Sequence, residues 1–516
     1  MRVRSTTRSM LRLACAFQCA VLLLANAAAD EQVVWPTAGW AVSTPEEQGM
    51  SSAALAKIIE FGAANGMDSL LVTRHGRLVA EAYYAPFRAG LQHAANSTTK
   101  GVIGTLTGMA LQDGLIASLD APVLKFFPER NIENVDAGKE AITIGHLIDM
   151  TSGLDWKEKL DDSVPETMIQ MARSRDWAGF VLNRAMAQAP GAGFNYNSGN
   201  SQLMSAILAT KTGGSTLDYA QRRLFQPLGI RDVRWLKDPQ GIETGGWGLY
   251  LQPGDMAKIG YLYLRKGQWN GSQLLPAAWV EQVFQAPVDM GFGQKPTFRY
   301  AHGWWTIPEK HAYMTVGFNR QVIIVLPDVD IVAVVTGRRN YLLPPLIDMI
   351  AASARSTQPL PADSAAQKLL ADRVRDASVE KPTAVAPAPA LAATISGKVW
   401  QFDRNALGVK RLVLDMTSAT PGYEIAYASR RPDAAGMEVK GPIGLDGYYR
   451  VNEPTAGAPV AVKGSWTDPQ TLRIISRSLS DGNVDVYDLR FDGDALNVSF
   501  ENNRGLKTQV RGSMAP

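Results

Sequence analysis

The chain has 516 residues and a formal net charge of +3 at neutral pH. A chain of this length divides into at least two domains. Beyond the first twelve residues it has no basic block of the kind that nucleic acid or an anionic lipid surface attracts. The composition therefore argues against a nucleic-acid-binding protein.

Residues 1–29 have the pattern of a secretory signal peptide. Four arginines precede an apolar stretch from Leu13 to Leu24, and three alanines at 27–29 form a small-residue cleavage site. The apolar stretch is short for a bilayer span and is interrupted by Gln18, although a retained anchor is the alternative. We therefore expect a periplasmic or secreted protein without stable membrane insertion after cleavage.

Both cysteines, Cys15 and Cys19, lie inside this signal. Cleavage removes four arginines and no acidic residue, so the net charge would change from +3 to −1. A chain without cysteine has no disulfide, no thiolate nucleophile and no cysteine-ligated zinc. No two histidines have metal-ligand spacing either, so we expect no metal and no organic cofactor.

Residues 30–356 combine strand and helix patterns. The predicted elements are a hairpin over 69–81, helices over 98–112, 142–150 and 201–211, and a strand pair over 321–335. A hairpin near each end with helices between them predicts an α+β domain. We expect one antiparallel sheet with flanking helices and a helical subdomain.

The last third of the chain changes composition twice. Residues 357–393 are rich in proline and alanine, which predicts a semi-rigid linker or strap with a candidate short helix over 368–377. Residues 394–516 contain short strand patterns separated by Gly, Asp and Asn turns. Eight to ten such strands predict a C-terminal all-β domain, a lipocalin-like barrel or sandwich. It could hold a ligand, cover the active-site mouth or only stabilise the chain.

Ser97 and Lys100 form a candidate nucleophile and base at the start of the helix over 98–112. A serine hydroxyl is a poor nucleophile unless a base lies within hydrogen-bond reach. Residues three apart on a helix share one face, so the Lys100 amine can touch the Ser97 hydroxyl. The alternative is a capping hydroxyl followed by a solvated lysine. Tyr196, 99 residues after Ser97, could complete a base without any histidine. The arrangement predicts acyl transfer through a seryl intermediate.

Six sequence blocks between Trp40 and Ala351 extend this pattern. They are Ser97-x-x-Lys100, residues 147–154, the segment from Pro190 to Ser198, residues 248–260, Gly303-Trp304-Trp305, and the segment from Gly317 to Gln321. Their order resembles the serine β-lactamase-like hydrolases. That superfamily includes class C β-lactamases, D-alanyl-D-alanine peptidases, family VIII carboxylesterases and 6-aminohexanoate-dimer hydrolases.

The resemblance implies a role for each matching residue. Ser97 would be the nucleophile, and Lys100 and Tyr196 would share its proton, one as general base and then as acid for the leaving group. The backbone N–H groups of Ser97 and Phe318 would form the oxyanion hole. The segment before Phe318, ending in Gly317, would line the substrate site. A small-molecule ester or amide is the expected partner.

Two departures from the family bear on the substrate. The β-lactamases usually have Asn where this chain has Ser198, and Lys or His where it has Thr315. Without that cation, the carboxylate of a β-lactam or a peptidyl-D-alanine loses a partner. The resemblance therefore implies small esters or linear amides, closest to the 6-aminohexanoate-dimer hydrolases. The alternatives are a β-lactamase or D-alanyl-D-alanine-type peptidase and a non-catalytic binding or sensor protein on the same fold.

Further side chains are candidates for substrate contact. Ser198 lies in the tyrosine block itself. One of the adjacent pair Trp304 and Trp305 must face away from the core on a strand, where Trp304 could cover an apolar acyl group, although a core role is the alternative. Three histidines could also line the pocket: His93, His302 and His311.

Overall fold

The computed structural model describes residues 33–160, 165–285, 288–291, 297–429, 436–452 and 458–515. The predicted signal peptide at 1–29 lies outside these residues. In the part of the chain that is described, no helix is long and apolar enough to cross a membrane.

The hydrolase region is organised around a nine-stranded sheet. Its strands and those of two small sheets are β1 Ala41–Val42, β2 Met67–Arg74, β3 Arg77–Tyr83, β4 His93–Ala94, β5 Arg234–Trp235, β6 Leu249–Leu251, β7 Gln268–Trp269, β8 Ser272–Gln273, β9 Val288–Asp289, β10 Arg299–Ala301, β11 Trp304–Ile307, β12 Ala312–Gly317, β13 Gln321–Leu326 and β14 Ile331–Gly337. The large sheet has the order β1-β3-β2-β14-β13-β12-β11-β10-β9. It is antiparallel except where the two-residue β1 pairs parallel with β3.

The helices flank this sheet and build a subdomain between β4 and β5. They are α1 Ser52–Asn65, α2 Thr98–Gln112, α3 Ala137–Glu140, α4 Ile144–Ile148, α5 Glu166–Arg173, α6 Trp177–Leu182, α7 Ser198–Thr212, α8 Thr216–Ala220, α9 Pro253–Leu264, α10 Ala277–Gln285, α11 Leu343–Ser353, α12 Ser364–Ser378 and α13 Leu391–Ile395. The predicted α+β architecture with a helical subdomain is confirmed.

The central strands β13 and β14 are buried along their whole length. They consist mainly of valine and isoleucine, because helices cover both faces of the sheet at this point. Side chains of α1 and α11 join the core on one face. On the other face α9 approaches so closely that a Cβ at Gly260 would lie 2.6 Å from Ile323. Continuous apolar strands are typical of a sheet that is covered on both sides.

The segment predicted to be a proline- and alanine-rich linker contains α12, which packs on α1 and β3. The helix starts where the Asp363 side chain accepts the backbone N–H of Ala366. Its side chains reach the hydrolase region through Gln367 to Glu46 and Arg373 to Glu60. Residues 364–378 therefore lie on the hydrolase region as a strap.

The C-terminal region is a ten-stranded antiparallel sheet. Its strands are β15 Val399–Phe402, β16 Val409–Asp415, β17 Gly422–Tyr427, β18 Met437–Pro442, β19 Arg450–Asn452, β20 Val460–Asp468, β21 Thr471–Ser478, β22 Val484–Asp492, β23 Ala495–Asn502 and β24 Lys507–Met514. The strand order is β18-β17-β16-β15-β24-β23-β22-β21-β20-β19, and the sheet curves so that its two edge strands, β18 and β19, approach each other. The sheet therefore forms a nearly closed barrel. The predicted C-terminal all-β domain is confirmed, and it is a barrel.

A buried ionic cluster joins the barrel to the hydrolase region. Asp68 on β2 accepts hydrogen bonds from Arg477 on β21 and, at 2.8 Å, from Arg338. Its second carboxylate oxygen lies 3.1 Å from His93 Nε2. Burial alone would raise the pKa of Asp68, but Arg477, His93 and Arg338 outweigh it, and the pKa is lowered. The carboxylate is therefore charged, and it connects residues 409 positions apart.

Candidate active site

Ser97 lies at the point where the chain enters α2. The preceding Asn96 has the left-handed φ of 48°, and Ser97 itself is already helical with φ −67° and ψ −9°. The Ser97 side chain makes no capping hydrogen bond to the helix. Instead, Lys100 Nζ lies 3.2 Å from Ser97 Oγ. Lys100 is 3% exposed. The geometry thus differs from a capping hydroxyl with a solvated lysine.

The Lys100 amine has three partners, which account for all of its hydrogen-bonding directions. Besides Ser97 Oγ, it lies 2.9 Å from Ser198 Oγ and 2.9 Å from the carbonyl oxygen of Gly246. Two of these partners come from segments 98 and 146 residues away. The amine is therefore held in one position by the fold.

Glu158, which no sequence pattern indicated, completes this network. Ser198 Oγ donates to Glu158 Oε1 at 2.6 Å, and the Ser198 N–H donates to Oε2 at 2.8 Å. The indole N–H of Trp156 also donates to Oε2, at 2.7 Å. Because Ser198 gives its proton to Glu158, its oxygen presents lone pairs to Lys100. A single glutamate in an irregular segment carries no sequence signal that would have revealed this contact.

Tyr196 is brought to the same place by the segment before α7. Lys100 Nζ lies 4.7 Å from the centroid of the Tyr196 ring, which is a cation–π distance. The segment is held by the hydrogen bond from the Asn195 N–H to the Met150 carbonyl and by Asn197, whose side chain caps α7. The structure therefore brings Tyr196, 99 residues from Ser97 in sequence, to the Ser97–Lys100 pair.

The two N–H groups assigned to the oxyanion hole belong to neighbouring chain segments. Gly317 ends β12 so close to the nucleophile that a Cβ there would lie 2.5 Å from the Ala95 carbonyl oxygen. Asn96 Nδ2 donates to the Phe318 carbonyl at 3.1 Å. This close approach requires glycine at 317 and places Phe318 beside the residue before Ser97.

The other predicted substrate contacts have different positions. Ser198 is 1% exposed and belongs to the Lys100 network. Trp304 is completely buried and packs on Tyr263 with ring centroids 4.1 Å apart, which is the position of a core residue. Trp305 is also buried and packs against Phe298. The geometry thus favours the core role for both tryptophans.

The three histidines make structural contacts. His93 is buried against Asp68 in the ionic cluster, and His302 stacks on Trp279 with ring centroids 4.1 Å apart. His311 pairs with Asp328 at an exposed turn. Among the described residues, no group of histidine and acidic side chains could hold a metal ion.

Two turns of the barrel touch the segments that carry the site. The N–H of Ala94, three residues before Ser97, donates to the Ser480 carbonyl in the β21–β22 turn. In the β23–β24 turn, the Arg504 guanidinium lies 5.8 Å from the centroid of the Phe318 ring. The barrel therefore abuts both sides of the assigned oxyanion hole.

The chain is similar to several known hydrolases. It is 26% identical over 285 residues to the 6-aminohexanoate-dimer hydrolase of Paenarthrobacter ureafaciens, covering 52% of this chain and 71% of that enzyme. It is also 26% identical to Esterase EstB of Burkholderia gladioli, covering 31% of this chain and only 45% of that esterase. A solved structure described as a candidate 6-aminohexanoate-dimer hydrolase from Bacillus anthracis has the same fold, with a TM-score of 0.53, 21% identity, and 64% of this chain and 90% of that chain covered.

The family profile named Beta-lactamase matches residues 55–355, which is more than half of the chain. This stretch contains Ser97, Lys100 and Tyr196 together with the whole Lys100 network. The chain belongs to the Beta-lactamase family and is a serine hydrolase of that fold.

Proposed function

We propose that this protein is an exported serine hydrolase that cleaves small esters or linear amides through a seryl acyl-enzyme. The observation that carries the proposal is the Lys100 amine, which is fixed on Ser97 Oγ by the Ser198 hydroxyl and the Gly246 carbonyl. A lysine whose other two hydrogen-bonding directions are taken in this way has its third direction on the serine hydroxyl. That is the requirement for an activated serine nucleophile without histidine.

The reaction has two halves. Ser97 Oγ attacks the carbonyl carbon while its proton passes to the Lys100–Tyr196 pair, and the N–H groups of Ser97 and Phe318 stabilise the oxyanion. The C–O or C–N bond then breaks, the leaving group takes the proton, and the acyl group remains on Ser97. A water molecule, deprotonated by the same pair, attacks the acyl-enzyme and releases the acid.

The geometry of Lys100 suits both steps. Ser198 and Gly246 are acceptors, so they take two N–H bonds and leave the third direction pointing at Ser97. In the neutral amine this direction is a lone pair that accepts the serine proton, and in the ammonium it is an N–H that returns one.

The surroundings of Thr315 support a substrate that is neutral near the oxyanion hole. Thr315 is 1% exposed, its hydroxyl accepts the Ile323 N–H at 3.3 Å, and its methyl group lies against Gly101 of α2. This position therefore presents no cation to a substrate carboxylate. The similarity to a 6-aminohexanoate-dimer hydrolase and to an esterase supports the same substrate class.

A β-lactamase or D-alanyl-D-alanine-type peptidase is the second candidate, and Arg504 is the observation that favours it. Its guanidinium lies over the Phe318 ring, so the barrel brings a cation to the oxyanion segment from another part of the chain. A carboxylate on the substrate could pair with Arg504 in place of the missing residue at 315.

Export belongs to the proposal because of the pattern at residues 1–29. Its basic start, apolar stretch and alanine cleavage site are typical of a removed signal. Amino-terminal sequencing of protein recovered from periplasm or medium should begin near residue 30. Recovery of the uncleaved chain in the cytoplasm would contradict export.

The experiment that tests the proposal is a burst assay on the chain without its signal. It uses p-nitrophenyl acetate, p-nitrophenyl butyrate and nitrocefin, with Ser97→Ala as the control variant. We expect ester turnover that disappears in Ser97→Ala, together with loss of labelling by a fluorophosphonate probe. Fast nitrocefin turnover would favour the β-lactamase alternative. Stoichiometric labelling without turnover would indicate a binding or sensor protein, and labelling that persists in Ser97→Ala would overturn the assignment.

A further inference from the structure

The interior of the barrel contains a partly open cavity of about 220 Å³. Its walls are formed by apolar side chains from strands around the barrel, among them Leu412, Val462, Ile474, Leu489 and Val498. Protein interiors are normally packed as densely as organic crystals and contain few voids larger than a water molecule. A cavity of roughly 150 Å³ with such a lining is already large enough to bind benzene. The size and lining of this cavity therefore fit a small apolar molecule.

The cavity is not apolar throughout. Its polar lining groups are the Ser476 hydroxyl, the Asp485 carboxyl and the phenols of Tyr423, Tyr427 and Tyr487. Ser476 and Asp485 are directly paired across β21 and β22, so they lie at the same level of the barrel. The lining thus has a polar zone and an apolar zone, which is the pattern of a site for an amphiphilic molecule.

Asp485 is a half-buried carboxyl group whose surroundings only partly favour its charged form. Burial raises its pKa, and the charge of Asp481 adds to this effect, while Asn502 and Arg504 act in the opposite direction with smaller weight. A carboxyl group that faces a low-dielectric cavity is stabilised by a hydrogen-bond donor. The Asn502 side chain supplies one such donor, and the head group of a ligand would supply another.

The polar zone lies at the end of the barrel that meets the hydrolase region. Asp485 follows directly on the β21–β22 turn, whose Ser480 carbonyl accepts the Ala94 N–H. In the neighbouring β23–β24 turn, Asn503 Nδ2 donates to the Arg338 carbonyl at 3.0 Å. A head group at Asp485 would therefore lie one turn away from the contact with the hydrolase region.

We propose that the barrel is a binding site for an amphiphile, with an alkyl or aryl body in the apolar zone and a hydrogen-bond-donating head at Asp485. The head is an alcohol or a protonated amine, because the Asp485 carboxyl accepts such a donor and repels a carboxylate. This site is separate from Ser97, and its occupancy does not depend on the proposed hydrolase reaction.

The test measures binding of the fluorescent amine N-phenyl-1-naphthylamine to the mature chain, followed by displacement with decylamine, decanol and decanoate. We expect saturable binding with one site, displaced by decylamine and decanol at concentrations about tenfold or more below those of decanoate. Ser97→Ala should bind the probe as the wild type does. Loss of binding in Ser97→Ala would place the probe in the catalytic site and overturn the proposal.

Two pairs of variants locate the ligand. Val462→Phe fills the cavity, whereas Val413→Phe adds the same volume to a β16 side chain that alternates away from the lining residue Leu412. We expect Val462→Phe to weaken probe binding and Val413→Phe to leave it unchanged, with circular dichroism showing that both fold. Equal weakening in both, or no saturable binding to the wild type, would overturn the proposal.

Asp485→Asn tests the head group while keeping the shape of the side chain. It should weaken decylamine by about tenfold and decanol by much less, since only the ammonium loses a charge-assisted hydrogen bond. Asp488→Asn is the matched control, because Asp488 pairs with Arg473 on the exposed side of the barrel. Unchanged decylamine affinity in Asp485→Asn, with decanoate binding as well as decylamine, would overturn the assignment of the head group.

Discussion

Lys100 in the hydrolase region is buried and Asp485 in the barrel is half-buried, and the surroundings of these two ionisable groups differ. Lys100 contacts two hydroxyl oxygens and a carbonyl, and Glu158 supports the network from behind. Asp485 faces a cavity with largely apolar walls. A polar group whose hydrogen-bond partners all come from the protein is held in a fixed position, in which it can react with a bound substrate. A polar group at the edge of an apolar cavity is placed to bind the polar end of a ligand.

The strongest test of the Lys100 side of this comparison is Tyr196→Phe. Removal of the phenol hydroxyl should lower kcat by about 10²–10⁴-fold, the usual contribution of general acid–base catalysis. Fluorophosphonate labelling should slow in parallel. Tyr423→Phe in the barrel lining is the matched control and should leave turnover of p-nitrophenyl butyrate unchanged. A wild-type rate in Tyr196→Phe would remove Tyr196 from the mechanism.

The Asp68→Asn variant should lower the stability of the protein, because Asp68 connects the hydrolase region to the barrel. The change leaves the buried Arg477 and the half-buried Arg338 without their carboxylate, and loss of one member of a buried pair typically costs about 3–5 kcal/mol in the free energy of unfolding. Urea denaturation measures this loss. Asp372→Asn, which removes exposed ion pairs on α12, should change the stability little. Equal stability of the two variants would contradict the role of the cluster.

The same cluster predicts a pH dependence of stability. The pKa of Asp68 is lower in the folded protein than in the unfolded chain. Its contribution to stability is therefore fully present above the unfolded value of about 3.9 and is lost as the pH falls below it toward the folded pKa. Between neutral pH and about pH 3, the stability difference between wild type and Asp68→Asn should shrink. A constant difference would contradict this assignment.

Glu158→Gln tests whether the hydrogen bonds from Ser198 to Glu158, which position Ser198 against Lys100, matter for catalysis. The amide keeps the size of the side chain but accepts one fewer hydrogen bond and carries no charge. We expect kcat to fall by about 10–100-fold with KM nearly unchanged, because Ser198 and Lys100 lose their fixed orientation. Glu166→Gln on the exposed face of α5 is the control. An effect on KM alone would indicate a substrate contact instead of a positioning role.

The smallest effect is expected for Arg504→Ala, which tests whether the barrel contributes to the hydrolase site. For an ester whose acyl part carries a carboxylate, KM should rise by about five- to tenfold, while KM for the neutral p-nitrophenyl butyrate stays constant. Arg511→Ala, on an exposed β24 position, should change neither value. Equal effects on both esters would exclude Arg504 as a partner of a substrate carboxylate.

The bounds of the helices could be predicted from sequence where the capping residues and the periodicity of apolar residues indicated the same start and end. The helix predicted over 98–112 is observed as α2 with those bounds. The helix predicted over 142–150 is shorter, because Thr143 forms a capping box at its start and Met150 takes a left-handed φ of 59° after its end. The helix predicted from 201 starts at Ser198, because Asn197 caps it. Short-range side-chain contacts decided these boundaries.

The candidate site was predictable to the extent that its residues occur in ordered sequence blocks. Ser97, Lys100 and Tyr196 were proposed from such blocks, and the structure brings them within one network. Glu158 has no such block, because its role depends only on a contact made 40 residues away. The sequence allowed Trp304 to lie either in the core or in the substrate cleft, and only its packing on Tyr263 shows that it lies in the core.

Sequence by itself determined the family, the serine–lysine pair one helical turn apart, and the presence of a β domain after a strap. These features depend on local spacing, on alternation of apolar residues and on the order of blocks along the chain. Tertiary structure alone decided that Ser198 and Glu158 support Lys100, that Asp68 joins the barrel through Arg477, and that the barrel is hollow. Contacts across tens or hundreds of residues, and the volume left between packed side chains, are properties of the folded chain and have no local pattern.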